Sequence, residues 1–261
     1  MMILQDVIKK LTDLAPEAYA QEWDNVGLLV GDRAQEISKI FIALDADETA
    51  IAQAQACGAQ LLLTHHPMIF SPLKKINTDE FISARVVKLL QAGISCYAMH
   101  TNYDAARMGT LAAERLGIPV EAPLGDLFER EGQLYGIGTI GNMREGCSLK
   151  QLGDQVKQRF GLQTVKIFGD LEKPVSRVAV CPGAGKSMIG DALCQGAQVF
   201  ITGDIDHHSG IDAVAQGLCI IDAGHYGIEH IFISDMQEYV SRELPQIEAV
   251  AQERNDPFVV L

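Results

Sequence analysis

Short apolar runs alternate with amphipathic segments along most of this chain, and this alternation restricts the fold more than any other feature of the sequence. The runs 39–44, 60–64 and 94–99 have the length and aliphatic content of buried strands. The segments 47–57 and 81–91 lie between them and carry apolar residues at helical spacing. Strands that alternate with helices in this way favour an α/β fold.

A stretch rich in proline and glycine at 117–132 interrupts the alternation and is the best candidate for a domain boundary. The alternation then resumes with a predicted helix at 148–160, for which Ser148 is the expected N-cap. The segment 226–244 is predicted to be one long final helix. Further helices are predicted at 3–14, 110–116, 189–195 and 206–216, and further strands at 28–30, 135–140, 164–168, 177–181, 199–202 and 218–222.

The two halves share a weak internal similarity. In each, a predicted strand ends in threonine, at Thr64 and Thr202, and a pair of histidines follows, directly in the first half and after a short interval in the second. A duplication and a coincidence both remain open interpretations of this pattern.

The charge and the cysteines exclude several classes of protein. The chain has 34 acidic and 21 basic residues and a formal net charge of −13. This excess repels a phosphate backbone, so non-specific binding of nucleic acid is disfavoured. The six cysteines contain no C-x-x-C pair and lie mostly in apolar surroundings, so we expect them to be reduced and buried.

The first residues show no basic region followed by a long apolar run, as a secretory signal would require. No apolar stretch approaches the ~20 residues that span a bilayer. We therefore expect a cytoplasmic protein without a membrane anchor.

All seven histidines fall in short motifs, and most of these motifs follow predicted strands. His65 and His66 directly follow one strand, the segment from His100 to Asp104 follows another, and His225 follows a third. Ligands of α/β proteins bind at the carboxyl ends of strands. The histidines therefore predict a common site.

The residue types at these strand ends indicate a metal site. Imidazole and carboxylate groups bind Zn, Mn, Fe and Co, and carboxylates with water also bind Mg. Glu229 lies four residues after His225 at a predicted helix start, so both side chains share one face. Adjacent His65 and His66 point in different directions on an extended backbone. We therefore expect two divalent ions, with Glu229 as a bridge, one histidine of the pair plus Asp104 at one ion, and the other plus His225 at the second.

Three further histidines are candidates for proton transfer or for support of the ligands. His100 lies four residues before Asp104 and suits either role. His207 and His208 lie at a predicted helix start, where a proton-transfer role and a structural role both remain open. His230 would point away from Glu229 on a helix and is expected to be structural.

Other motifs allow weaker expectations. The segment 182–187 resembles a phosphate-binding loop, but Val180 occupies the position that requires the first glycine, so ATP hydrolysis by such a loop is disfavoured. Trp23, the only tryptophan, is expected in the core rather than as a platform for a ligand, and Asp24, Asn25 and Gly27 are expected in a turn or cap before a strand. Asp45 and Asp47 follow a strand and are expected to approach the site.

These motifs, in this order, resemble the NIF-three-like (Ngg-interacting factor) dinuclear-metal proteins, which are also named GTP cyclohydrolase 1 type 2 homologues. The resemblance covers nearly the whole chain. The segments that carry it are EWDNVGLLVG at 22–31, THHP at 64–67, HTNYD at 100–104, TGDIDHH at 202–208 and DAGHYGIE at 222–229.

The resemblance implies two interlinked α/β domains with mixed sheets and a metal site in the cleft between them. The domains would be 1–124, joined by a returning segment 225–261, and 125–224. It also implies a homohexamer, a trimer of dimers, with two divalent ions per chain. The ligands that it implies are His65, His66, Asp104, His225 and Glu229.

Two classes of function follow from these expectations. The first is a metal-dependent hydrolase acting on a nucleotide or another phosphate-containing substrate, which the cyclohydrolase name specifies as ring opening of GTP. The alternative is a non-enzymatic, ring-shaped metal-binding scaffold that acts through protein or nucleic-acid partners.

Overall fold

The computed structural model describes residues 1–260 and has the predicted α/β class. The chain forms two compact units. The first comprises Met1–Tyr103 and Phe232–Asn255, and the second comprises Asp104–Ile231 with the residues from Asp256 onward. The domain bounds that the sequence analysis proposes, 1–124 with 225–261 and 125–224, stay a prediction.

The first unit is built on a mixed sheet of five strands. Its order is β15-β4-β5-β6-β2, in which β2 alone is antiparallel to its neighbour. These strands are β2 (Gly27–Val30), β4 (Lys39–Ala43), β5 (Leu61–Thr64), β6 (Ser95–Ala98) and β15 (Glu248–Ala251). A separate ladder joins β1 (Met2–Ile3) to β3 (Glu36–Ile37).

Both faces of the central strands are buried, which explains their continuous apolar sequence. Every residue of β5 and β6 is buried, as a parallel strand covered by helices requires. Phe41, Leu62 and Leu89 belong to the core that this packing forms. The helices of this unit are α1 (Leu4–Leu14), α2 (Glu48–Ala56), α3 (Phe81–Ala92), α4 (Thr101–Tyr103) and most of α10 (Ile231–Glu243).

The second unit is built on a mixed sheet of six strands in the order β11-β14-β13-β12-β10-β7. The three strands β12, β13 and β14 are parallel, and their neighbours are antiparallel. The strands are β7 (Ala122–Leu124), β10 (Gly138–Ser148), β11 (Lys166–Phe168), β12 (Pro174–Ala184), β13 (Val199–Gly203) and β14 (Cys219–Asp222).

Helices and a hairpin complete the second unit. A π-helical turn, Asp104–Met108, precedes the first of its helices. These are α5 (Gly109–Leu116), α6 (Leu149–Phe160), α7 (Ile189–Cys194), α8 (His207–Ala215) and α9 (His225–Glu229), and the hairpin pairs β8 (Phe128–Arg130) with β9 (Gln133–Tyr135). Phe200, Ile220 and Leu218 lie in its core.

A glutamine links two parallel strands in the same way in each unit. The side-chain oxygen of Gln60 accepts hydrogen bonds from Ser38 and Lys39, at the start of β4. The side-chain oxygen of Gln198 accepts the same bonds from Ser176 and Arg177, in β12. The repeated pattern, each spanning the same separation along the chain, agrees with the interpretation that the halves are duplicated.

Two predicted elements are wrong in extent. The predicted helix 226–244 is two helices, α9 and α10, which are separated at His230. The ring of His230 donates a hydrogen bond from Nδ1 to the carbonyl of Gly227 at 2.9 Å. The predicted strand 135–140 is also divided, between the end of β9 and the start of β10. Gly136 lies between these strands, where a Cβ would meet the Leu124 carbonyl at 2.7 Å.

The cysteines are free, and their predicted burial is only partly correct. Cys96, Cys181 and Cys219 are buried, whereas Cys194 is exposed. Within residues 1–260, no helix combines the length and the apolar character needed to cross a membrane.

Ser148 caps helix α6, as the sequence predicts. Its hydroxyl accepts a hydrogen bond from the Gln151 amide at 3.2 Å, and Gln151 Oε1 accepts one from the Ser148 amide at 2.9 Å. This reciprocal capping box satisfies two amides that the helix itself leaves unbonded.

We expect Ser148→Ala to lower the free energy of unfolding by about 1 kcal/mol, because the Gln151 amide loses its acceptor. Thermal denaturation followed by circular dichroism should show a melting temperature reduced by roughly 2–4 °C. Ser148→Asp restores an N-cap acceptor and should melt close to the wild type. Equal loss in both variants would contradict the capping role.

Candidate metal centre

Three histidines of the first unit converge at one edge of its sheet. His65 and His66 directly follow β5, and His100 follows β6, its parallel neighbour. Parallel strands bring their carboxyl ends to the same edge. One ring nitrogen from each histidine lies within 4.8 Å of the corresponding nitrogens of the other two. The strand-end prediction is therefore confirmed for these residues.

Each of these rings is held through its Nδ1 atom. His65 Nδ1 lies 2.7 Å from the Met99 carbonyl, and His66 Nδ1 lies 2.8 Å from Asp45 Oδ1. Carbonyl and carboxylate oxygens only accept, so Nδ1 carries the proton in each bond. In a neutral ring the lone pair is then on Nε2, the form that binds metals.

Asp24 holds His100 in the same way. Both carboxylate oxygens of Asp24 lie 3.0 Å from His100 Nδ1, and Oδ2 also accepts from the amide and hydroxyl of Thr101. Burial raises the pKa of this carboxyl, but the bonds from His100 and Thr101 outweigh that effect and lower the pKa to about 2. Asp24 is therefore a fixed anion behind the His100 ring at neutral pH.

The second unit places His225 and Glu229 on helix α9. The helix begins where Gly224 takes a φ of 74°, just after β14. His225 Nε2 lies 3.0 Å from Glu229 Oε2, in the i,i+4 relation that the sequence predicts. His225 Nδ1 lies 2.8 Å from Asp204 Oδ2, so Asp204 orients this ring as Asp45 orients His66.

The contact between His225 and Glu229 requires a positive centre. A carboxylate oxygen and a ring nitrogen whose other nitrogen donates are both acceptors, and two acceptors repel each other at this distance. A proton on Nε2 would satisfy the pair. A divalent ion held by His225 Nε2 and the Glu229 carboxylate would satisfy the pair as well.

Asp104 lies in the π-helical turn after α4 and not directly at a strand end, which corrects its predicted location. The chain continues from His100 as a helical segment, in which Thr101, Asn102 and Tyr103 are buried. A carboxylate oxygen of Asp104 lies within 4.8 Å of one from Glu229. The two carboxylates of the predicted ligand set are thus neighbours.

The buried thiol of Cys181 lies near these carboxylates but does not belong to the groups of donor atoms that could hold an ion. Burial raises the pKa of Cys181 far above its usual value, and the charges of Asp104, Glu229 and Asp126 raise it further. Only a thiolate binds metal well. The donors of the candidate centre are therefore imidazoles and carboxylates, as the sequence predicts.

Gly183 leaves the space that Glu229 occupies. Its φ is 77°, and an added Cβ would overlap with Glu229 Oε1 and lie 3.7 Å from His225 Nε2. This glycine belongs to the segment 182–187 that resembles a phosphate loop. The structure shows that the segment continues β12 into a 3₁₀ turn, Gly185–Met188, whose Lys186 pairs with Asp206 at 2.8 Å.

His207 and His208 are exposed at the start of α8, where Asp206 provides the N-cap. Their rings lie 5.2 Å apart. Their predicted role in proton transfer stays a prediction.

Trp23 is not in the core, contrary to the prediction. It is 61% exposed and stacks against Phe70, with ring centroids 6.4 Å apart. The Glu22-Trp23-Asp24 turn must present Asp24 inward to His100, and this arrangement leaves the preceding side chain outside.

Sequence reasoning gave no role to Asp204 or Gly183. Asp204 has a φ of 55°, which is uncommon outside glycine but tolerated by aspartate. The role of Asp204 could have been found from its spacing along the chain to the histidine that it orients. Asp45 and Asp204 each follow a strand, and each precedes the histidine that it orients by 21 residues.

Comparison with known proteins shows which family this chain resembles. The family model described as Duf34/NIF3 (NGG1p interacting factor 3) matches residues 2–257. A GTP cyclohydrolase 1 type 2 homolog of Clostridium perfringens is 33% identical over 261 residues, which cover 98% of this chain and 99% of the relative. Another, from Streptococcus pneumoniae, is 34% identical, with 92% and 91% covered.

Solved structures agree with the sequence relatives. A Bacillus cereus protein related to NIF3 superposes with a TM-score of 0.91 at 25% identity, covering 100% of this chain and 99% of its own. Reduced HcgD from Methanocaldococcus jannaschii has a TM-score of 0.83 at 28% identity, with 97% and 98% covered. On these matches the chain belongs to the Duf34/NIF3 family.

Proposed function

We propose that this protein binds two divalent metal ions and uses them to hydrolyse a small nucleotide or another phosphate-containing substrate. In this proposal one histidine of the pair His65 and His66 would hold one ion together with Asp104 and Glu229, and the other histidine would hold the second ion together with His225 and Glu229. Glu229 bridges the two ions.

The observation that carries the proposal is the common orientation of the imidazoles. His65, His66 and His225 each donate from Nδ1 to a carbonyl or carboxylate, which leaves Nε2 as the ligand atom. A hydrogen bond from the second ring nitrogen to a carboxylate or a backbone carbonyl is usual for histidines that bind metal ions. It fixes both the tautomer and the direction of each ring before an ion arrives.

The position of the carboxylates along the chain supports a shared centre. Asp104 is the first residue of the second unit, and Glu229 lies two residues before Ile231, where the chain leaves that unit. Along the chain, both carboxylates therefore lie within three residues of segments that belong to the first unit.

The donor set fits the proposed ions. Neutral imidazoles combined with two carboxylates suit Zn, Mn, Fe or Co better than Mg, which prefers oxygen ligands. When bound, two adjacent ions lower the pKa of water and stabilise the oxygens of a displacement.

The chain's own groups would supply positioning and proton transfer. Asp45, Asp204 and the Met99 carbonyl hold the ligand rings. His100, held at Nδ1 by the anionic Asp24, is positioned to hold a proton at Nε2 and to pass it to or from a substrate. The names of the relatives favour a nucleotide such as GTP as that substrate.

We expect Glu229→Gln to reduce bound metal from two ions to one or none per chain, because a neutral amide bridges two cations poorly. Elemental analysis after equilibration with Mn or Zn measures the content. Glu238→Gln, which removes an exposed carboxylate from α10, should retain both ions. Two ions bound with undiminished affinity in Glu229→Gln would refute the bridge.

We expect Gly183→Ala to weaken metal binding at least tenfold, because the new methyl group displaces the Glu229 carboxylate. Gly196→Ala is the matched control. Its φ of 76° imposes the same backbone strain, but only Arg177 Nε lies near, at 4.0 Å. Isothermal titration with Zn should distinguish the two variants, and equal affinities would show that Gly183 has only a backbone role.

We expect hydrolysis of GTP, of other nucleotides or of generic phosphodiesters that requires added Mn, Zn, Fe or Mg and is lost on chelation. Product analysis by chromatography distinguishes ring opening from phosphate release. Activity in Glu238→Gln and its loss in Glu229→Gln would assign turnover to this centre. Metal binding without turnover would favour the scaffold instead, and light scattering would test the predicted homohexamer.

A further inference from the structure

Two exposed aromatic side chains lie beside His100. Trp23 is 61% exposed and Phe70 is 52% exposed. Their planes differ by only 12°, and their centroids are 6.4 Å apart. Rings in full face-to-face contact would be closer, so each ring keeps much of one face uncovered. Exposing two adjacent aromatic rings to water is unfavourable, and the metal ligands do not explain it.

Hydrogen bonds hold both rings in place. Asp24, next to Trp23, is fixed by His100 and Thr101. Asn25 Nδ2 donates to the carbonyl of Ile69, next to Phe70, at 2.6 Å. The two loops are therefore joined directly behind the aromatic side chains. A surface organised in this way loses little conformational entropy when a ligand binds.

His100 connects this surface to the candidate metal centre. Its ring meets Trp23 edge-on at 6.0 Å and Phe70 edge-on at 5.9 Å. The same ring lies 5.3 Å from His65 and 5.5 Å from His66. A planar ligand on the aromatic surface would thus lie one imidazole away from the metal-binding histidines.

We propose that Trp23 and Phe70 form a stacking surface for the base of a purine nucleotide. This inference rests on the proposed function, since it names the class of substrate for the same site. A flat π face stacks on aromatic side chains in a way that tolerates different bases.

Size and charge favour this occupant over a protein. Two aromatic side chains offer at most about 150–250 Å² each, whereas a stable interface buries about 800 Å² per partner. Lys74 and Lys75 follow Phe70 closely, are exposed, and make no ion pair within residues 1–260. In a chain of net charge −13, these two cations suit a phosphate-bearing ligand.

Trp23 is the only tryptophan, so its fluorescence reports on this surface alone. The as-purified protein is titrated with guanosine 5′-monophosphate, and ribose 5-phosphate serves as the ligand without a base. We expect saturable quenching by the nucleotide and none by the sugar phosphate. Equal responses to both ligands would overturn the stacking surface.

Variants examined by equilibrium dialysis separate stacking from folding. Trp23→Ala should weaken binding of the nucleotide about tenfold or more, the usual size of a base-stacking contribution. Trp23→Phe should restore much of it. Phe258→Ala, which removes an aromatic ring that is 62% exposed elsewhere in the chain, should bind as the wild type does. Unchanged affinity in Trp23→Ala would overturn the proposal.

The metal measurement distinguishes this failure from failure of the proposed function. Trp23→Ala should retain both ions. Binding of the nucleotide is measured without turnover, so its result does not depend on whether the protein is a hydrolase. Fluorescence that depends on protein concentration but ignores the nucleotide would instead identify the surface as a contact between copies of the chain and overturn the proposal.

Discussion

The candidate centre depends on the hydrogen bond that each of three imidazoles, the proposed metal ligands, donates from Nδ1. His65 donates to the Met99 carbonyl, His66 to Asp45 and His225 to Asp204. Each bond selects the tautomer and fixes the ring plane, so the lone pair of Nε2 points in one direction. Without these acceptors the rings would rotate, and binding an ion would have to order them first.

The strand order of each sheet places an acceptor beside the histidine that donates to it. In each unit, an aspartate follows one parallel strand and a histidine follows the next, so the two side chains meet at the carboxyl edge. Asp45 and His66 follow β4 and β5, and Asp204 and His225 follow β13 and β14. At the opposite end, Gln60 fixes β5 to β4 in the first unit, and Gln198 fixes β13 to its other parallel neighbour, β12, in the second. The repeated arrangement explains how two units with different surroundings present the same chemistry.

Crowding of the backbone has a second role at this edge. Gly183 makes room for the Glu229 carboxylate, and Gly224 allows the turn from which α9 begins. In the first unit, Asp24 lies inward against His100, and its neighbour Trp23 is left outside. The exposed tryptophan is therefore a consequence of how His100 is held. It also provides the aromatic surface proposed for a purine base.

The sequence by itself determined the α/β class, most of the strands and helices, and the convergence of His65, His66 and His100. Periodicity and strand ends carry that information locally, because side-chain direction follows from the backbone repeat. It also determined the pairing of His225 with Glu229, four residues apart on one helix. Only the tertiary structure decided that Asp204 orients His225, that Asp104 lies on a π-helical turn, that Gly183 makes space for Glu229, and that Trp23 is exposed. These outcomes depend on contacts between segments distant in the chain, and no local pattern encodes which side chains such contacts bring together.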